Sequence, residues 1–342
     1  MTGMNTRKEL YKRSVENGIK WILSHQITDG SFGKVETMSH YMVLGATLLY
    51  TGHAEAAARL VPVLRKLFVR EDGSFDPPEV RAGRQSALQE RGYSPSWMIY
   101  SCHLNHAFDI SLRAMPYLLR LQDPKTGGMF GSWEHAQAGK GIINAAVTSV
   151  AGQAALTTGY VDEAKRMGDH LVNNVIRNNP DLSERFYPIW DTECGVRTDA
   201  EAPQSANMPR LLQRFEPNQH HYITGMIMGF LVDLYGVTRE SSYLEGAKAL
   251  YEFAAGGNEN IYRNTLSHKF AWGCAWLYRQ TQLTKYLESA CRLCDYLVEI
   301  QEPDGSFVHW GLVKSADEWP YSPRLNSTAQ FTLWISRTMN LL

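Results

Sequence analysis

A loop motif that recurs along the chain constrains the fold more than any other feature. Gln26 to Phe32 (QITDGSF) returns near the end as Gln301 to Phe307 (QEPDGSF), with Asp72 to Phe75 (DGSF) and the looser Gln122 to Phe130 between them. Each copy follows an amphipathic stretch and precedes an apolar one, so the repeat unit is a helical hairpin. We predict that the Asp and Ser stabilise a turn, that the Gly permits it, and that the Phe fills the gap between hairpins.

Apolar spacing predicts twelve helices and no strand. No stretch has the sustained alternation that a half-buried strand requires. The helices are expected at about 7–25, 38–52, 54–69, 95–105, 107–121, 141–158, 161–177, 219–236, 241–255, 266–282, 284–300 and 325–340.

These helices are of two alternating kinds. One kind carries charge on one face, as in Glu55 to Phe68 and Tyr286 to Ile300, whereas Ile142 to Leu156 and His221 to Tyr235 are apolar nearly all round. A helix without a polar face is buried on all sides, so the second kind forms an inner ring within the first. The sequence therefore predicts an all-α (α/α)6 toroid, with residues 1–342 in one domain. Close packing of the inner helices is expected at Gly45, Gly152, Gly225, Gly229 and Gly273.

The order of inner helix, outer helix and Asp-Gly loop resembles that of two superfamilies. Phe270 to Tyr278, followed by Tyr286 to Ala290 and then Gln301 to Phe307, resembles the six-hairpin glycosidase-like group of glycoside hydrolases, polysaccharide lyases and sugar epimerases. The Gln, Gly and Trp spacing of Gln122 to Trp133 is similar to that of the terpene cyclase and prenyltransferase group. Both resemblances imply the toroid. The chain lacks an Asp-x-Asp-Asp acid and an Asp-Asp-x-x-Asp magnesium motif, which disfavours the chemistry of the second group.

Composition narrows the class of partner. The 34 basic and 35 acidic residues give a net charge of −1, so no overall field attracts nucleic acid or an anionic membrane. The polar N-terminus and the lack of a long apolar run predict a cytoplasmic protein. The motif Cys102-His103-x-x-His106 has ligand-like spacing but no further pair, so we expect no metal, and no motif requires a cofactor. The expected partner is a small-molecule or oligosaccharide substrate, and the oligomeric state is open.

In a toroid the starts of the inner helices and the loops before them wall a bowl. We therefore expect substrate-binding residues there, where helix N-termini also favour anionic groups. The helix-start candidates are His40, Tyr41, Trp97, Asn144, His220, Tyr222, Lys269 and Trp272, and the loop candidates are Trp133, Tyr187, Trp190, Arg197 and Trp310.

The long connection 178–219 is expected to be irregular and to form a lid or wall of the bowl. Its interleaved aromatic, acidic and arginine residues are typical of a sugar site. The alternative is a solvated loop packed by two aromatic residues. A second long loop, 76–94, carries Arg81, Arg84 and Arg91 and is expected on the opposite side.

Four residues are candidates for acid–base catalysis. Asp191 and Glu134 each follow a tryptophan in a predicted bowl-face loop, and such a carboxylate pair would serve hydrolysis. His221 and His268 begin buried helices, and histidine-based proton exchange would imply an epimerase or a lyase. We therefore expect an enzyme acting on a saccharide. The alternatives are a terpenoid or polyketide cyclase or isomerase with an aromatic pocket, and a saccharide-binding toroid without catalysis.

Overall fold

The chain folds into two concentric rings of helices. The computed structural model describes residues 2–33, 37–75, 92–199, 209–309 and 320–342. The outer helices are α1 (Thr2–His25), α4 (Ala54–Phe68), α6 (Phe108–Leu119), α9 (Val161–Asp169, continued by the π-helical turn His170–Ile176), α11 (Ser241–Ala255) and α13 (Thr284–Glu299). The inner helices are the pair α2 (Met38–Tyr41) and α3 (Leu44–Tyr50), then α5 (Ser94–Leu104), α8 (Ala145–Thr158), α10 (Tyr222–Thr238), α12 (His268–Thr281) and α14 (Tyr321–Leu341).

The inner ring closes on itself. Helices α3, α5, α8, α10, α12 and α14 pack in that order, and α14 returns to pack against α3 and α1. A continuous core of buried side chains runs from Tyr11 in α1 to Ile335 in α14. These packings confirm the predicted all-α (α/α)6 toroid. In the part of the chain that is described, no helix is long and apolar enough to cross a membrane.

The recurrent loop motif ties neighbouring outer helices together. The Asp accepts hydrogen bonds within the turn, as where Asp304 Oδ1 accepts from the backbone N–H (2.9 Å) and hydroxyl (2.6 Å) of Ser306. Three copies begin with a Gln whose side-chain amide donates to a glycine carbonyl of its own loop and to a carbonyl of the next outer helix. The outer-helix acceptors are Ala56 for Gln26, Glu163 for Gln122 and Ser14 for Gln301, at 3.0, 3.0 and 2.9 Å. Since Ser14 lies in α1, the last copy joins the end of the ring to its start.

The glycine of this motif is needed for two reasons. Gly30 has φ +87°, a left-handed conformation that other residues adopt at a cost. A Cβ at Gly30 would also lie 2.1 Å from the carbonyl oxygen of Arg59 in α4. The loop therefore approaches the next outer helix backbone to backbone, and the turn prediction for the motif is confirmed.

The predicted close packing of the inner helices is confirmed as well. A Cβ at Gly152 or Gly229 would lie 2.2 Å from a ring atom of Phe230 or Trp272, respectively. A Cβ at Gly225 would lie 2.4 Å from the backbone of Lys269, so α10 and α12 touch at the first turn of α12.

The expectation of no strands was wrong. Strand β1 (Ile142–Asn144) pairs antiparallel with β3 (Ile189–Asp191), which pairs with β4 (Gly195–Val196), and β2 (Arg185–Phe186) pairs with β5 (Leu212–Gln213). Each has two or three residues, too few to produce a visible alternation. The connection 178–219 is therefore not irregular throughout: it carries four strands, and one of them joins it to the start of α8.

One short helix was also missed. Helix α7 (Trp133–Ala138) begins where the Ser132 hydroxyl accepts from the backbone N–H of His135 (3.2 Å) and ends at left-handed Gly139. The prediction that Glu134 lies in a loop was therefore wrong, and so was that for Asp191, the last residue of β3.

Candidate functional site

A buried lysine occupies the loop-side end of the inner ring. Lys269, in the first turn of α12, is 1% exposed. Its Nζ donates to His268 Nε2 and to Gln330 Oε1 of α14, both at 2.8 Å. The rings of Tyr222 and Trp334 lie 5.1 and 5.5 Å from Nζ. A base, an amide oxygen and two aromatic faces thus surround the amine.

The hydrogen bonds of His268 fix which ring nitrogen carries the proton. His268 Nδ1 lies 2.7 Å from the carbonyl oxygen of Thr265, which can only accept. The proton is therefore on Nδ1, and the lone pair of Nε2 receives the hydrogen bond from Lys269. His268 Nε2 and Gln330 Oε1 lie 3.3 Å apart, and both accept from the amine of Lys269. Burial holds the pKa of His268 well below its ordinary value, so the imidazole is neutral.

The amine itself is also held neutral. No ion pair joins Lys269 to a carboxylate in the described part of the chain, and burial holds the pKa of Lys269 well below its ordinary range. The two ring faces would each stabilise a cation by about 1–2 kcal/mol. The effective cost of taking an ammonium group out of water is still several kcal/mol after the protein relaxes. Desolvation exceeds the attraction of the rings, which favours the free amine.

Two further histidines adjoin this pair. The His309 ring lies 5.9 Å from that of His268, and the ring of Tyr222 stacks on His268 at 6.0 Å and lies 5.9 Å from that of His220. Burial lowers the pKa of His309 to about 3 and lowers the pKa of His220 as well. We call His220, Tyr222, His268, Lys269, His309 and Gln330 the basic cluster.

Three tryptophans lie next to the basic cluster in the ring. The Trp334 ring of α14 is 5.4 Å from that of Trp97 in α5 and 5.0 Å from that of Trp272 in α12. Since α3 separates α5 from α14, the first of these contacts crosses the interior of the ring. On α14, Gln330, Trp334 and Arg337 follow one another along one face, so the tryptophans lie between the basic cluster and Arg337.

Arg337 lies on the other side of the tryptophans from the basic cluster. Its guanidinium carbon lies 4.4 and 5.4 Å from the ring centres of Trp272 and Trp334, and 5.2 and 5.7 Å from those of Tyr50 and Tyr100. Burial lowers the pKa of Arg337, but Tyr100, Tyr50 and, to a smaller extent, Asp233 of α10 raise it, and the net shift is upward. Burial raises the pKa of Asp233 to about 6 in spite of that guanidinium.

Asp191 takes part in a different network. Its Oδ1 accepts from the backbone N–H of Glu193 (2.8 Å), and its Oδ2 lies 3.7 Å from Arg197 Nη1. Arg197 also forms a two-pronged contact with Asp199, at 2.5 and 2.7 Å. Asp191 therefore closes the β3–β4 turn. None of the contacts described joins it to the basic cluster.

Glu134 and its neighbouring tryptophan lie beside an outer helix. Glu134 is exposed in the first turn of α7. The Trp133 ring lies 5.0 Å from that of Tyr117 in α6, and the Arg120 guanidinium covers it at 5.2 Å. Trp190 packs against His170 at 5.3 Å and lines a surface pocket of about 320 Å³ with Lys140 and Glu193.

Several helix-start candidates are held within the packing. The Asn144 side chain accepts from the backbone N–H groups of Ala146 and Val147 and so caps α8. The His221 ring lies among Phe253 and Phe270, and burial lowers its pKa to about 3. His40 bonds to Ser322, and the Tyr41 hydroxyl accepts from the Phe32 N–H (3.2 Å). Among the loop candidates, Tyr187 pairs through its backbone with the side chain of Asn179.

The basic cluster therefore contains four of the predicted residues: His220, Tyr222, His268 and Lys269. Trp97 and Trp272 lie beside them. Trp310, Arg81, Arg84 and Arg91 lie outside the described residues. In the described ranges no three His, Cys, Asp or Glu side chains are grouped so that they could hold a metal ion.

Sequence reasoning missed His309, Gln330, Trp334 and Arg337. The last three belong to one stripe of α14 at spacings of four and three residues, which is the period of a helix face. That stripe was a visible signal, since polar and aromatic residues repeat along an inner helix. His309 lies in a loop, and no local pattern indicates its position.

Comparison with known proteins bears on the fold. No family model matches the chain, and no curated protein matches it either. Among solved structures, a D-mannose isomerase is 13% identical over 97% of both chains, with a TM-score of 0.66. A GH76 α-mannanase from Bacteroides thetaiotaomicron is 13% identical over 96% of both chains (0.65), and an unsaturated glucuronyl hydrolase specific for heparin is 12% identical over 97% of both (0.60). The chain has their (α/α)6 toroid fold. At these identities the similarity establishes the fold alone.

Proposed function

We propose that this chain is a saccharide-acting enzyme that moves a proton at the carbon next to the carbonyl of an open-chain sugar, as an epimerase or isomerase does. The observation that carries the proposal is the basic cluster, in which the neutral His268 and an amine lie 2.8 Å apart. Proton abstraction next to a carbonyl needs a neutral base and a group that polarises the oxygen. The toroid shared with a D-mannose isomerase is consistent with this chemistry.

Each residue has a role in this proposal. The Nε2 lone pair of His268 takes the proton, while the Nδ1–H bond to Thr265 holds the ring in the required tautomer. His309 and His220 are the candidates for relaying a proton from solvent to the sugar, since a neutral imidazole can accept a proton on one ring nitrogen as it gives one up from the other. The strands after residue 178 and Trp190 would form part of the wall through which the sugar enters.

Hydrolysis is less favoured for this chain than proton transfer. It needs two carboxyl groups about 5–10 Å apart on either side of the scissile bond. Asp191 is engaged with Arg197, and Glu134 is exposed on α7. Neither contacts the basic cluster in the part of the chain that is described.

The test is deuterium exchange from solvent. The protein is incubated in D2O with D-mannose and, in parallel, with other aldoses and uronic acids, and NMR records deuterium at C2 together with any new sugar. We expect exchange with at least one of them. His268→Asn keeps a donor for Thr265 but removes the Nε2 base, so exchange should fall at least a hundredfold.

A matched control replaces a histidine outside the cluster. His106 is exposed with φ +55°, a conformation that asparagine tolerates, so His106→Asn should leave exchange unchanged. Cleavage of manno-oligosaccharides or unsaturated uronides without deuterium exchange would refute the proposal in favour of hydrolysis.

A further inference from the structure

We propose that Lys269 is a covalent catalyst, whose amine attacks the aldehyde carbon of an open-chain sugar and forms an imine. This inference rests on the proposed function and narrows it. It predicts that the reaction interconverts an aldose and its C2 epimer, with no ketose released.

The hydrogen bonding of Lys269 fits a nucleophile. A neutral primary amine has two N–H bonds and one lone pair. The two N–H bonds correspond to the two contacts observed, with His268 Nε2 and Gln330 Oε1 at 2.8 Å each. The lone pair is left for an electrophile. Salt-bridged surface lysines of this chain differ in that they contact a carboxylate, as Lys248 contacts Glu245 at 2.9 Å.

The surroundings of the amine also suit imine chemistry. Tyr222 and Trp334 present ring faces to Nζ, which stabilise the positive charge that develops when the imine is protonated. The protonated imine retains a single N–H bond. One of the two acceptors is then released, and His268 Nε2 can take a proton from the sugar.

The step balances without an external oxidant or reductant. The nitrogen lone pair bonds to C1. The carbonyl oxygen takes one proton from the amine and one from solvent and leaves as water, which gives a protonated C=N bond that keeps one N–H. His268 then takes the C2 proton, and the C–H electron pair forms a C1=C2 enamine. A proton returned to the opposite face of C2 inverts that centre, and water releases the epimer and the free amine. Since nitrogen stays on C1 throughout, a ketose cannot leave by this route.

The experiment traps the imine. The protein is treated with D-mannose and sodium cyanoborohydride at pH 7, and peptide mass spectrometry measures the reduced hexose adduct at each lysine. We expect the adduct at Lys269 to exceed that at Lys248 at least tenfold. In Lys269→Arg the adduct should be lost from position 269, because a guanidinium does not form it.

A second variant tests whether the amine is reactive because no carboxylate contacts Nζ in the described part of the chain. Gln330→Glu places a carboxylate on Nζ with little change in shape, which should keep the amine protonated. We expect at least tenfold less adduct at pH 7 and recovery as the pH is raised, whereas a purely structural role for Gln330 would not shift this pH profile. An adduct at Lys269 no greater than at Lys248, or one insensitive to Gln330→Glu, would overturn the inference.

The two proposals fail separately. Deuterium exchange without an adduct at Lys269, or with a ketose as the product, refutes the imine and leaves the proton-transfer function standing. An adduct at Lys269 without exchange for any sugar supports the nucleophile and refutes the proton-transfer function.

Discussion

Replacing Gly225 by alanine tests how the packing of α10 against α12 supports the basic cluster. The new Cβ would lie 2.4 Å from the carbonyl carbon and oxygen of Lys269 and from the backbone nitrogen of Phe270. Ordinary contacts begin about 1 Å further out, and backbone atoms cannot rotate away. Overpacking of this kind costs about 1–3 kcal/mol, and the gain in helix propensity returns up to about 1 kcal/mol. We expect a net loss of up to about 2 kcal/mol in the free energy of unfolding.

The same helix supplies the control. A Cβ at Gly236 would meet no atom within 4 Å, so Gly236→Ala should gain up to about 1 kcal/mol from helix propensity. The midpoints of urea unfolding, compared at equal slope, measure both variants. Because Gly225 faces the backbone of Lys269, Gly225→Ala should also reduce adduct formation at Lys269, while Gly236→Ala should not. Equal stability of the two variants would show that the helices are not in backbone contact, and the reasoning would fail.

Two further substitutions examine residues that the packing holds. Asn144→Ala should lower the free energy of unfolding by about 1 kcal/mol through loss of the α8 cap, whereas Asn144→Asp should retain it, as urea midpoints will show; equal losses in both would contradict a capping role. For His221, burial places the folded pKa near 3, below the unfolded value of about 6.5, so its contribution is complete above pH 6.5 and is lost as pH falls toward 3. His221→Phe should therefore gain about 2 kcal/mol relative to the parent between pH 6.5 and pH 5, and an unchanged difference across that range would contradict the burial of a neutral ring.

The fold could be predicted because one physical unit is repeated. The Gln at the start of a loop bonds the next outer helix in three copies, and the glycine allows close contact, so the motif marks in the sequence four of the places where a hairpin meets its neighbour. The strands could not be predicted, since two or three residues carry no periodicity. Strand β1 also depends on a partner about 50 residues away, as Ile143 pairs with Trp190.

The site was predictable only in part, for a related reason. His268 and Lys269 stood out because polar residues opening an apolar helix point to an internal role. Asp191 and Glu134 were selected by their neighbouring tryptophans, but adjacency to a tryptophan does not report depth in the fold. Gln330 lies two turns into α14, beyond the helix starts considered, and its role depends on contact with α12.

The position of Lys269 and Arg337 on either side of Trp334 explains why the arginine is charged and the lysine is not. Lys269 and Arg337 both contact Trp334, at 5.5 and 5.4 Å, so two positive charges would be placed around one ring. Asp233 compensates Arg337, since each shifts the pKa of the other. Among the described residues, Lys269 donates to an imidazole lone pair and an amide oxygen. The guanidinium cannot release its proton at neutral pH, whereas the amine can. Lys269 therefore releases its proton, which removes the repulsion between it and Arg337. A free amine is left at the loop-side end of the inner ring.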